Sequence, residues 1–218
     1  MRAIQTPPTG AAVYLTLATQ VVSLGGLVIF EQVRGRRLAE QIATLGGEAR
    51  GSEAVVGAVT VFAVLMMVMV VATVAAAVAY LTWLVRARQA NSPAAPASPV
   101  LGAWLVPFVN LVAPVVLVDE VWREAKPPFD RRGRWLALLG AWWATWLVAA
   151  GMVTYQLLVN GRGELTGLGV PELVVTAVAA LLCAATVRDI TAIQRSLHAA
   201  PAIRLRSLSS VDSVSRAS

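Results

Sequence analysis

One cysteine, one histidine and one lysine occur in the 218 residues of this chain. The lone Cys183 excludes an intramolecular disulfide and any cysteine-built metal cluster, and inside an apolar run it reads as a small packing residue. His198 has no local neighbours that would make it a general base or a ligand. Charge is scarce as well: charged residues are 14% of the chain, against about 25% in a globular domain. GxSxG, HExxH and Walker-type loops are absent, so the common hydrolytic, metalloprotease and nucleotide-binding signatures are missing. No cofactor is implied, and the expectation is a protein that is not an enzyme.

Hydrophobic residues, by contrast, make up 57% and gather in long uncharged runs separated by short charge-rich loops. Measured against roughly 20 apolar residues per span, the runs predict an all-α integral membrane protein with four transmembrane helices. They lie at about 11–30, 54–85, 135–158 and 171–187. The second run, Ala54 to Val85, exceeds what the bilayer core requires and must tilt or protrude. The fourth is the shortest, but Pro171 suits a first helical turn and Glu172 the positive end of the helix dipole. A basic start precedes the first run without a small-x-small cleavage site, which reads as an uncleaved first helix. Residues 1–200 form one helical membrane domain in this reading. The Ser-rich stretch 201–218 is expected to be a disordered cytoplasmic tail, and "RRLAEQIATL" between the first two spans a short solvated helix or hairpin cap.

A fifth uncharged stretch, Val100 to Val118, has the length of a span but carries Pro107, Asn110 and Pro114. Each proline removes a backbone donor and blocks a carbonyl. Broken backbone at membrane depth is tolerated only where it packs on protein, and Asn110 is placed to satisfy the freed groups. Pro114 can start an amphipathic helix through Ala125. A re-entrant or interfacial segment is therefore expected, a full fifth crossing being the alternative. In the first case the N-terminus, the 86–134 region and the tail share one side with 13 of the 18 basic residues. That side would be the cytoplasm. In the second, 14 basic residues lie on the side of the C-terminus and 4 opposite, with the N-terminus outside. Both cases put the C-terminus in the cytoplasm, in a cell membrane. The net charge of +6 lies beside spans, where it sets topology, and nucleic acid is not an expected partner.

Within the four uncharged runs, the last counted from Leu173 to Val187, there is no Asp, Glu, Lys, Arg or His, which disfavours a proton relay or a pump of charged substrates. Thr16, Gln20 and Ser23 share a face of the first helix, for interhelical hydrogen bonds or for a polar path. Trp142, Trp143 and Trp146 lie too deep for an interfacial belt. They are expected to pack on another helix, with "VPFVNL" as a candidate partner and a ligand cage as the alternative. Trp135 reads as an interfacial anchor beside Arg134. Asp119, Glu120 and Glu124 could hold a cation; with Arg123 and Lys126 adjacent, an ion-paired surface is expected. In "RDITAIQRSL", Ile190, Ile193 and Leu197 share a face, so this helix should continue into the cytosol or lie on anionic lipid.

Three stretches in order, "YLTWLVRAR", "GAWLVPFVNLVAPVVLVDEVWREA" and "WWATWL", resemble bacterial membrane proteins grouped as domain-of-unknown-function family 4328, common in actinobacteria. The resemblance covers roughly residues 60–197. It rests on Trp83, Arg86 and Arg88; on Trp104, Pro107, Asn110, Leu111 and Pro114; on Glu120 and Trp122; and on Trp142, Trp143 and Trp146. In the family pattern an aromatic and then a basic or polar residue follow the second proline. Val115 and Val116 stand there in this chain, and the asparagine after "RAR" is displaced, so no role is carried to Asn91. The family has no established activity, so the resemblance implies architecture and motif residues of unknown role.

Three functional expectations follow. The first is a non-enzymatic multi-pass protein that scaffolds or regulates partners at its cytoplasmic face, with the lipid bilayer and either a protein partner or a second copy as its contacts. The second is a channel or transporter component using the broken 104–114 segment. The third is a membrane enzyme built on the acidic cluster.

Overall fold

The computed structural model describes residues 9–35, 52–106, 108–159 and 167–215. Among these residues every regular element is helical. The helices are α1 (Thr9–Phe30), α2 (Ser52–Asn91), α3 (Ser98–Leu105), α4 (Ala113–Glu124), α5 (Arg132–Val159) and α6 (Val170–Ser215). Four stretches are long and apolar enough to cross a membrane: Gly10–Gly35, Val56–Asn91, Arg132–Gln156 and Val170–Ser196. The first of these includes a π-helical turn, Glu31–Gly35, that closes α1.

Two of these helices outrun any bilayer core. At about 1.5 Å per residue, the 40 residues of α2 reach about 60 Å, twice the roughly 30 Å hydrocarbon thickness. The 46-residue α6 is longer still. It passes Pro201, where the sequence reading begins a disordered tail, and continues to Ser215. Ala, Leu and Arg in "AAPAIRLRSL" have good intrinsic helix propensity. Pro107, the loop around "RRLAEQIATL" and the chain between 160 and 166 lie outside the described residues.

α1 packs along α2 and α6, and α6 along α5. At one end Leu24, Leu27 and Val28 of α1 bury against Leu168. There Glu172 reaches back to accept the Gly169 N–H at 2.8 Å, a capping-box contact that satisfies a donor orphaned at the start of α6. Gln156 of α5 donates to the same carboxylate at 3.2 Å. Pro171 sits in the first turn, as expected of a residue without a donor. Midway, Gln20 of α1 donates to Thr73 of α2 at 3.2 Å, whereas Thr16 and Ser23 donate to carbonyls of their own helix.

At the other end the core contains the start of α1, the end of α2, the start of α5 and the middle of α6. Ile190 and Ile193 of α6 are buried there, so this face rests on the bundle. The Val100–Val118 stretch also lies here, and it is two short helices folded against each other. α3 has 8 residues and α4 has 12, or about 12 and 18 Å, and neither could span a bilayer core alone. Val106 is extended (φ −87°, ψ 120°), the conformation imposed on a residue before proline. Phe108 follows at φ 67°, a left-handed backbone rare outside glycine. A 3-10 turn, Val109–Leu111, then leads into α4, whose first turn holds the buried Pro114.

Candidate functional site

The α3–α4 hairpin is held at two depths. Its turn is held by tryptophans of α5. Trp143 Nε1 donates to the Leu111 carbonyl at 2.9 Å, satisfying an acceptor that the broken helix leaves free. Asn110, expected in that role, leaves its Oδ1 buried without a partner, since the indole N–H reaches the neighbouring carbonyl instead. Trp143 and Trp146 stack at 5.0 Å and 6°. Trp104 of α3 meets both edge-on, at 5.9 and 6.0 Å, an arrangement that sets ring edge against ring face. Trp104 also contacts Trp142 at 6.5 Å and Tyr80 of α2 at 5.5 Å. Tyr80 in turn contacts Trp83 and Trp142. Trp83, Trp142 and Trp143 are buried. The deep tryptophans therefore pack on the broken segment, and Trp104 fills the space between α2 and α5.

The base of the hairpin is held by polar contacts. Arg132, the first residue of α5, gives Asp119 a two-pronged salt bridge at 2.6 and 2.8 Å. Trp135 Nε1 adds a third donor to the same carboxylate at 2.9 Å. Burial raises the pKa of Asp119, but the hydrogen bonds from Arg132 and Trp135 and the charges of Arg132 and Arg123 outweigh it. The carboxyl is held below its ordinary 3.8. Trp122 of α4 stacks on Trp135 at 5.1 Å and 4°, lies 5.4 Å from the Arg132 guanidinium, and donates to Asp189 of α6 at 3.0 Å. Asn91, the last residue of α2, donates to the Val121 carbonyl at 2.9 Å. Gln194 of α6 donates to Asn91 Oδ1 and to the Ala87 carbonyl. One clamp thus joins α2, α4, α5 and α6.

Two sequence expectations change here. Trp135 is 2% exposed and is a clamp residue rather than an interfacial anchor, because Asp119 and Trp122 cover it. The acidic cluster is divided: Asp119 pairs with Arg132 rather than with Arg123 or Lys126, while Glu120 and Glu124 are exposed. Arg86 is exposed and Arg88 half-buried, one guanidinium nitrogen of Arg88 lacking a partner. Among the described residues, no group of three or more His, Cys, Asp and Glu could hold a metal ion.

The matched motif residues gather around this hairpin, and the family described as Domain of unknown function (DUF4328) matches residues 42–192. The chain belongs to the DUF4328 family. No curated protein and no solved structure matches it. The DUF4328 match takes in the hairpin, Asn91 and both clamp tryptophans. Sequence reasoning missed Asp119, Arg132, Trp135, Asp189, Asn91 and Gln194 as a unit. The available signal was an aspartate as the first charge after an apolar run, with an arginine just ahead of the next run.

Proposed function

We propose that this chain is a non-enzymatic multi-pass membrane protein whose hairpin enters one leaflet and returns, forming a platform for partners at the cytoplasmic face. One observation supports this reading above the rest. The α3 arm begins at Ser98, shortly after α2 ends at Asn91, and Val100 buries in the same core as Val118 and Val121; the α4 arm is tied to that end of the bundle at Val121 and Asp119, while the turn between them meets Trp143. Trp143 is 11 residues into α5, about 16 Å from its start and near the middle of a roughly 30 Å core. Outward-facing apolar residues along the turn, among them Phe108 at 86% exposure and Val112 at 65%, suit contact with acyl chains. The basic residues on the side of the hairpin base favour the cytoplasm.

The test uses a Cys183→Ala background with single Ser98→Cys and Asp130→Cys substitutions, both at exposed positions flanking the hairpin. A membrane-impermeant thiol reagent should label neither in intact cells and both in inverted vesicles. Labelling from opposite sides would establish a fifth span and overturn the reading. Partner capture from native membranes, compared between the native chain and Asp119→Asn, tests the platform itself.

A second reading, a channel or transporter component, draws on three buried polar atoms without partners: Tyr80 OH, Trp104 Nε1 and Asn110 Oδ1. Flux through proteoliposomes that is lost in Asn110→Leu would favour it. The tryptophans occupying the space around Trp104 weigh against it. An enzyme built on the acidic cluster would have to act without Asp119, which the clamp engages.

A further inference from the structure

A groove of about 570 Å³ opens at the hairpin base, lined by Trp122, Arg123, Lys126, Pro127, Pro128 and Arg132. Its size falls in the range of small-molecule sites, about 300–1,000 Å³. Three lining residues are cationic and none is acidic. Asp119 forms its salt bridge with Arg132 and is also within reach of the Arg123 charge; among the described residues neither Arg123 nor Lys126 has a salt-bridge partner of its own, which leaves both open to an anion from outside. Glu120, Glu124 and Asp130 are exposed nearby but do not line the groove.

Lys126 is held in an unusual way. It follows the end of α4 with φ at 50°, and its N–H bonds back to the Arg123 carbonyl at 3.0 Å. Glycine is the usual occupant of that left-handed position, and the following Pro127 further restricts the backbone of Lys126. A long cation kept where glycine would relax the backbone is the kind of strain found at functional sites. Two consecutive prolines then stiffen the adjoining wall.

Beyond the groove itself, the two helices that flank it also order charge above apolar surface. On α4, Val116 lies two turns before Arg123 on the same face; on α5, Leu136 lies one turn after Arg132. Val116 and Leu136 are 50% and 47% exposed. Cations with an aromatic floor, and exposed apolar side chains one or two turns deeper, match a lipid with its phosphate at the groove and its chains alongside. We propose that this groove binds the phosphate of an anionic membrane lipid, an inference that rests on the proposed placement of this end at the bilayer surface.

The test uses the full chain, delipidated in detergent and then titrated with phosphatidylglycerol or phosphatidylcholine, with bound lipid counted by native mass spectrometry. Phosphatidylglycerol should be retained preferentially. The pair Arg123→Gln with Lys126→Gln leaves Asp119–Arg132 intact and should retain it about 30-fold less well, at the usual worth of two cations near an anionic lipid. A control pair, Arg131→Gln with Arg134→Gln, removes the same charge from exposed positions outside the groove and should change little. Equal losses in the two pairs, or no preference between the lipids, would overturn the proposal. Displacement of the lipid by inorganic phosphate would assign the groove to a soluble anion and overturn the lipid. Same-side thiol labelling combined with no lipid preference would remove this inference alone.

Discussion

Asp119 carries the hairpin base on three donated hydrogen bonds, two from Arg132 and one from Trp135. Because its folded pKa lies below the ordinary value, its contribution is present above about pH 4 and is lost as pH falls through the folded pKa. Asp119→Asn should therefore lower the melting temperature of the detergent-solubilised protein at neutral pH, and the two melting curves should converge on acidification. A constant offset between them down to pH 3 would show that the carboxylate charge is not what stabilises the base. Trp142, 2% exposed and ringed by Tyr80, Trp104 and Trp143, should lose about 3–5 kcal/mol on replacement with alanine, by analogy with soluble cores. Asn110 has the opposite sign. Its Oδ1 is buried without a partner, at a cost of about 1–3 kcal/mol, so Asn110→Leu should melt at the native temperature or above. A large drop would mean that the amide holds the turn through groups other than that oxygen.

For the elements, what was legible in the sequence separates cleanly from what was not. The long helices could be read because an uncharged run is local and nearly any arrangement of it satisfies a bilayer. The break in Val100–Val118 could be read because proline acts on its own backbone. The clamp could not, because Asp119, Arg132, Trp122, Asp189, Asn91 and Gln194 meet across separations of 13 to 103 residues, and each alone resembles an ordinary surface or interface residue. Trp135 escapes a local reading for that reason: beside Arg134 at the start of a span, an indole is usually an anchor, whereas the ring and carboxylate that engage it come from the returning α4. The hairpin's depth can be checked by attaching a spin label at Phe108→Cys in the Cys183→Ala background. Its collision rate with oxygen should exceed that of a label at Ser98→Cys, and its collision rate with a water-soluble nickel chelate should be lower. Equal accessibilities would place the turn in water.

At the scale of the whole fold, the described residues are arranged unevenly from end to end. One end closes with Glu172, Gln156 and the Gly169 backbone; the other carries two additional short helices pressed against α2 and α5. Each helix is about 10–12 Å across, so the hairpin adds about 200 Å² of cross-section at its own end. If that end lies in the cytoplasmic leaflet, the protein displaces more lipid there than in the opposite leaflet and acts as a wedge. A wedge has a preferred membrane curvature. In vesicles of mixed size, protein density per unit area should rise as vesicle diameter falls when the hairpin end faces outward, and should fall with diameter when it faces inward. A density independent of size in both orientations would mean that neighbouring lipids absorb the difference in area.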